Sequence, residues 1–287
     1  MENIVLGIIQ GVTEWLPISS EGVLFIVKTN FFGATETTEI IKEALFLHLG
    51  TFFAALIYLR KDVIKILEVI FEYKQIHLDM NHGIISRLKF WAMSLFGEKL
   101  NRSSRKMFWF LFLTTLISGL IGIILLVLLG SAGDIIKTSG KLATAIVGIL
   151  LLVTAFIQLK AKNTEGLRNA EDINSKDTLI LGLMQGLAVL PGFSRSGFTI
   201  SALLLRKFDN NFALKLSFLM SLPVVLAGNI GINLIGFSFT PDMLIQLLFS
   251  FIFGMLTIHV LLKFAHKVNF GYFVLVFGII TIIASLI

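Results

Sequence analysis

The sequence predicts an all-α polytopic membrane protein, with six transmembrane helices and two re-entrant helical hairpins in an inverted-topology repeat, forming one integral membrane domain over residues 1–287. Three observations carry this expectation. Hydrophobic residues make up 56% of the chain and charged residues 15%, with a mean hydropathy of +0.89, whereas soluble domains hold roughly 45–50% apolar and 25% charged residues. Apolar runs of about 20 residues recur, long enough as helix to cross a hydrocarbon core of about 30 Å; in lipid, only helices and closed barrels pair all their own backbone groups. Two further apolar segments are broken midway by Pro, Gly, Ser and ionisable residues, and they stand at corresponding positions of the two halves.

In chain order, residues 3–27 are the first broken segment. Glu2, Glu14 and the lack of an early Lys or Arg separate it from a secretory signal, which begins basic and ends at small residues. Residues 41–59 are the first clean span. The loop 60–106 carries basic residues from Arg60 and Lys61 through Arg105 and Lys106, which assigns it to the cytoplasm because Lys and Arg accumulate in loops on that side. Spans 107–130 and 141–159 lead out and back to 160–177, where Lys160, Lys162, Arg168 and Lys176 mark the cytoplasm again. Residues 178–205 are the second broken segment, with Arg206, Lys207 and Lys215 on the same side. Spans 216–237, 243–262 and 271–287 complete the chain; the turn 238–242 has no basic residue and faces out, while Lys263 and Lys267 return inside.

Counting crossings places the first broken segment outside at both ends and the second inside at both ends. Two hairpins then enter from opposite faces of the cell membrane, and both termini lie outside. The repeats run over about 1–160 and 177–287. Laying residues 7–22 on 182–197 without a gap matches Gly7 with Gly182, Gln10 with Gln185, Gly11 with Gly186, Ser19 with Ser194 and Gly22 with Gly197. Interrupted apolar segments at matching places in two halves point to a site near the bilayer midplane.

The chain has no cysteine, so thiolate nucleophiles and soft metal sites are excluded. The net charge of +6 resides mainly in loops, where membrane orientation accounts for it, and nucleic acid is discarded as a partner.

Ionisable residues inside the apolar segments are Glu14, Glu21, His48, Arg195 and His259. Each costs at least about 2.5–3.5 kcal/mol at a helix centre, so a function and a partner are expected. In PGFSRSGFT, residues 191–199, Pro191 and Gly192 break a helix. Ser194 and Ser196 supply hydroxyls, Gly197 admits close backbone approach, and Thr199 begins the next apolar stretch. Amides at a helix start bind phosphate, and the forked guanidinium of Arg195 suits phosphate oxygens, so this segment reads as an anion cradle. The alternative is a kinked helix whose Arg pairs with Glu14 or Glu21.

In QGVTEWLPISSEG, residues 10–22, Gln10 and Glu14 share a helix face and Pro17, Ser19, Ser20 and Gly22 make the break. A carboxylate beside an anion cradle is useful if a divalent cation bridges it to phosphate or if it acts as a general base. Glu14 and Gln10 are the candidate cation ligands, with Mg or Ca as the ion. His48 is either a core histidine bonded to a carbonyl or an acid, base or nucleophile. His259, near a span end, reads as interfacial.

Both motifs resemble the undecaprenyl diphosphate phosphatase family of the BacA type, over essentially the whole chain. The first family signature corresponds to Gln10, Glu14, Leu16, Pro17, Ser19 and Ser20, and the second to Pro191, Gly192, Ser194, Arg195, Ser196 and Thr199. Leu49–Gly50 and the stretch from Ser217 to Pro223 also match. The resemblance implies cation-dependent hydrolysis of a polyprenyl diphosphate lipid to its monophosphate, in a site opening outward. The candidate catalytic residues are Glu14, Ser20, Arg195 and His48, with Ser19, Ser194, Ser196, Gly197 and Thr199 binding substrate. The implied partners are that lipid and the surrounding membrane lipids, with homo-oligomer formation left open. One departure stands out: family members carry a His after the motif glycine, and here Val23 follows Gly22, while Glu21 replaces a small hydroxyl residue. His48 or Glu21 could do that work, Glu14 could activate Ser20, or the chain could carry the lipid without hydrolysing it, as a transporter or flippase.

Overall fold

The computed structural model describes residues 1–33, 37–78, 102–131, 140–162, 166–190, 193–234, 240–264 and 270–286. Among these residues every regular element is a helix, and strand-like pairing is limited to an isolated bridge between Arg168 and Phe208. The helices are α1 (Glu2–Thr13), α2 (Ser20–Phe31), α3 (Thr37–Tyr58), α4 (Arg60–Leu78), α5 (Arg102–Ser131), α6 (Gly140–Lys162), α7 (Ser175–Leu187), α8 (Arg195–Leu205), α9 (Asn210–Leu234), α10 (Met243–Phe264) and α11 (Phe270–Leu286).

Among the described residues four helices are long and apolar enough to cross a membrane, over Glu39–Tyr58, Arg102–Leu125, Asn210–Gly231 and Met243–Lys263. They coincide with four of the six expected spans. The other two fall on α6 and α11, whose apolar stretches, Ala145–Ala161 and Val274–Ile283, are shorter. The expected loop 60–106 needs correcting over its first part, because residues 60–78 are helical. Val63, Ile66 and Val69 recur at helical spacing; Ile66 and Val69 are buried, and Val63 packs against the main core. The charges that mark this segment as a loop occupy the opposite face of an amphipathic helix. Residues 79–101 lie outside the described residues.

Each broken apolar segment is two short helices with a break between them. α1 and α2 pack on each other across residues 14–19, as do α7 and α8 across 188–194; Pro191 and Gly192, expected to make the second break, lie outside the described residues. The first arm of each pair packs against a long helix from the other half of the chain, α1 on α10 and α7 on α5. Glycine permits both approaches. A Cβ at Gly11 would lie 2.7 Å from the Ser250 carbonyl oxygen, and one at Gly186 would lie 2.7 Å from Ile121 Cβ. The matched glycines of the two segments therefore do the same packing job.

An ionic cluster closes the base of each pair. At the first, Lys28 pairs with Glu43 and, at 3.6 Å, with Glu2, while Gln246 donates to Glu43 at 2.6 Å and to Asn3 at 2.8 Å. At the second, the buried Asp177 carboxylate accepts from Arg168 at 2.5 Å and from Arg206 at 2.7 Å, and Arg168 stacks 4.2 Å above the Phe208 ring. Burial raises the Asp177 pKa, but hydrogen bonds from the two guanidiniums outweigh it and hold the carboxyl below its ordinary value. A depressed folded-state value stabilises the protein fully above the unfolded pKa, and that contribution is lost as pH falls through the folded one.

Asp177→Asn is expected to cost about 2–3 kcal/mol, read as a lower unfolding temperature in detergent. That is less than the ~3–5 kcal/mol of a fully desolvated pair, because 24% and 30% of the two arginine side chains stay exposed.

Candidate functional site

The two breaks meet. Trp15, 1% exposed, wedges the first into the main core edge-on to Phe218 at 4.8 Å, and Ile18 packs with Val147, Leu151, Ala155 and Val274. Ser196 Oγ donates to the Leu16 carbonyl at 2.8 Å. Gln158 of α6 donates to the Pro17 carbonyl at 2.9 Å, and a Cβ at Gly197 would lie 2.6 Å from the same Gln158 nitrogen. The same Cβ would lie 3.0 Å from Thr154 Cγ2 and 3.1 Å from the Pro17 carbonyl oxygen, so Gly197 eases the close approach of the second break to α6.

The two breaks also share a cap. Ser19 Oγ accepts from the Gly22 amide at 3.1 Å and starts α2; Ser194 Oγ accepts from the Gly197 amide at 3.0 Å and starts α8. Both are serines capping the third residue of a helix, and both fall at matched positions of the ungapped alignment. In α8 the amides of Gly197 and Phe198 go to Ser194, leaving those of Arg195 and Ser196 without a partner inside the helix.

Glu14, the residue just after α1, is 5% exposed and lies at the centre. Its Oε2 accepts from Gln10 Nε2 at 2.9 Å and from Ser20 Oγ at 2.8 Å, and lies 3.0 Å from His48 Nε2. Its Oε1 pairs with Arg195. One carboxylate thus gathers groups from both breaks and from α3. Such a buried charge is tolerable only when paired and hydrogen-bonded, and here both conditions hold. The second guanidinium nitrogen of Arg195, NH1, is buried with no hydrogen-bond partner, so one arm of the fork holds Glu14 and the other remains available to an anion.

The remaining expected residues have internal partners. Ser194 and Ser196 hydroxyls lie 3.2 Å apart. Thr199 donates to the Arg195 carbonyl at 2.8 Å and lies 2.6 Å from Ser217 Oγ. Glu21, half-buried, stands within electrostatic reach of His48, Glu14 and Arg195. Val23, at the place of the family histidine, packs against the apolar Ile18 cluster. His259 pairs with Tyr58 at 3.0 Å near the ends of their helices, away from this centre. Gln158 and the lysine and aspartate clusters are not singled out by the sequence; for Gln158, an amide in an otherwise apolar span is the available signal.

Among the described residues no group of three or more His, Asp or Glu is placed to hold a metal ion. Gln10 Oε1 is nevertheless buried without a hydrogen-bond partner, which leaves an oxygen donor beside Glu14. Hard divalent cations take oxygen ligands, and Mg2+ is held by one or two carboxylates together with substrate phosphates. Glu14 and Gln10 would hold a cation only together with a phosphorylated ligand, not as a preformed cage.

Residues 3–283 match the family described as bacitracin resistance protein BacA. A protein of Methanococcoides burtonii named undecaprenyl-diphosphatase is 39% identical, covering 98% of this chain and 97% of its own. Proteins of the same name from Methanothrix thermoacetophila, at 32% over 98% and 95%, and from Alkaliphilus metalliredigens, at 34% over 99% and 98%, are also similar.

Proposed function

We propose that this chain, which belongs to the family of bacitracin resistance protein BacA, hydrolyses undecaprenyl diphosphate to the monophosphate, returning the lipid carrier to cell-envelope or glycan synthesis. The observation that carries this reading is the Glu14 carboxylate, which accepts a hydrogen bond from the Ser20 hydroxyl while paired with Arg195. A nucleophile within 2.8 Å of a base, oriented by further groups, is the pattern of an activated hydroxyl. A carrier that only moved the lipid would need the anion site but not this pairing.

In the proposed reaction Arg195 NH1 and the amides at the start of α8 hold the terminal phosphate, with the Ser194 and Ser196 hydroxyls beside them. Ser20 Oγ bonds to the terminal phosphorus as its proton moves to Glu14 Oε2. The bond from that phosphorus to the bridging oxygen breaks, and its electron pair leaves on the lipid monophosphate. The Glu14 proton passes to that departing monophosphate and frees the carboxylate. Water then attacks the phosphoserine as Glu14 takes its proton, the bond from phosphorus to Ser20 Oγ breaks, and Glu14 returns the proton to Ser20 Oγ as inorganic phosphate is released. Arg195 stabilises charge on the transferring group, since phosphoryl transfer is mainly positioning and electrostatics. A divalent cation held by Glu14 and Gln10 with the diphosphate would neutralise further charge there. The experiment is inorganic phosphate release from purified protein given undecaprenyl diphosphate. Turnover abolished by a chelator and restored by Mg2+ or Ca2+ supports the reading, and no release with any divalent cation defeats it.

The membrane arrangement proposed with this site has α1–α2 and α7–α8 as re-entrant hairpins entering from opposite faces. Their arms are 12, 12, 13 and 11 residues, or roughly 16–20 Å at about 1.5 Å per residue, too short to cross about 30 Å of hydrocarbon. The exchanged packing of α1 on α10 and α7 on α5 supports an inverted repeat. The basic residues of α4 argue for a cytoplasmic position of that helix and for both termini outside. A single cysteine at Lys65 in whole cells is expected to resist a membrane-impermeant thiol reagent, and labelling from outside would reverse the orientation.

A further inference from the structure

His48 lies on α3, outside both hairpin tips, yet it reaches Glu14 from the middle of a membrane-crossing helix. Its Nδ1 lies 2.6 Å from the Ala44 carbonyl oxygen. A carbonyl only accepts, so Nδ1 carries a hydrogen and the tautomer is set by the helix itself. Nε2 is thereby the ring atom left to face Glu14 Oε2, and that contact holds one further proton between the two groups. The oxygen it meets is the one that accepts the Ser20 hydroxyl.

The seat of this imidazole is braced from three sides. Asn229 of α9 donates to the Leu45 carbonyl at 2.9 Å, Ser250 of α10 donates to the Leu47 carbonyl at 2.9 Å, and Thr51 donates to the carbonyl of His48 itself at 3.0 Å. A Cβ at Gly50 would lie 2.6 Å from Ser250 Cβ, so α3 and α10 are in backbone-close contact two residues along α3. Carbonyls 44, 45, 47 and 48 thus each receive a side-chain hydrogen bond. Rigid support of this kind is what holds a reacting group to within about 0.5 Å.

We propose that His48 is the positioning residue of the Glu14 base: its Nε2–H fixes Oε2 toward the Ser20 hydroxyl and couples α3, α9 and α10 to the reaction at the hairpin tips. Gln10 reaches the same oxygen from within α1, so it moves with Glu14; His48 anchors the carboxylate to the spanning helices. The assignment rests on the phosphatase reading.

The test measures phosphate release from undecaprenyl diphosphate by the parent, His48→Leu and His48→Gln, with thermal unfolding of each in detergent. Loss of the anchor is expected to lower kcat of His48→Leu by about 100-fold, the scale of a misplacement near 1 Å, with KM within about threefold because Arg195 still binds the phosphate. His48→Gln, which keeps an N–H able to reach Oε2, is expected to recover to within about tenfold of the parent. His48→Leu turning over within threefold of the parent would overturn the proposal. So would equal loss in both variants accompanied by a lowered unfolding temperature, which would make His48 a structural residue. A parent without turnover removes the phosphatase reading itself, and this assignment with it.

Discussion

Arg195→Lys is expected to lower kcat for phosphate release by on the order of 10²–10³-fold, the usual cost of removing one donor that stabilises transition-state charge. The guanidinium divides its work: one nitrogen pairs with Glu14, and NH1 is buried and without a partner. A lysine ammonium is a point charge on a flexible stem and cannot hold a carboxylate and a phosphoryl oxygen in one fixed plane. Binding should weaken less than turnover, because charge attraction to the diphosphate survives while transition-state geometry does not. Steady-state kinetics of the variant check this, and activity within a few-fold of the parent would mean that the forked donor is not used.

Glu14→Gln is expected to abolish measurable turnover and also to destabilise the protein. The carboxylate takes hydrogen bonds from Gln10 and Ser20 and balances Arg195 and His48. A carboxamide presents an N–H to at least one of those donors and cannot take the Ser20 proton. Removing one partner of a buried charge cluster costs about 3–5 kcal/mol, so lower unfolding temperature should accompany lost activity. Glu14→Asp separates the two effects: it keeps the charge but draws the oxygens back by one methylene. A smaller loss of stability than in Glu14→Gln, with turnover reduced by at least about 100-fold, is the expected result.

Much of this centre was legible in the sequence because ionisable residues are expensive in apolar segments, and Glu14, Arg195 and His48 are such residues. Opposite charges in two interrupted segments implied a meeting, and the Glu14–Arg195 pair is that meeting. The matched serines and glycines were legible as a repeat, and they turn out to share caps and close helix contacts.

Hydroxyl partners were not legible. Ser196 and Thr199 read as phosphate ligands, and the sequence does not show that they also bond the Leu16 carbonyl, the Arg195 carbonyl and Ser217, because short polar side chains satisfy nearby backbone as readily as a ligand. The two base clusters escaped notice for another reason. Asp177, Arg168 and Arg206 look like ordinary boundary charges, and only the return of α8 beside α7 brings Arg206 to Asp177. α4 was hidden by its charges, which pointed to a loop although its apolar residues keep helical spacing.

The proposed chemistry turns on where the bond breaks and which oxygen is delivered. Hydrolysis of undecaprenyl diphosphate in water enriched in oxygen-18, with mass analysis of both products, reads this directly. Attack by Ser20 on the terminal phosphorus, followed by water on the phosphoserine, places one heavy oxygen in the released inorganic phosphate and none in the lipid monophosphate. Heavy oxygen in the lipid monophosphate would show attack on the inner phosphorus and would contradict the arrangement of Ser20, Glu14 and Arg195 around the terminal one.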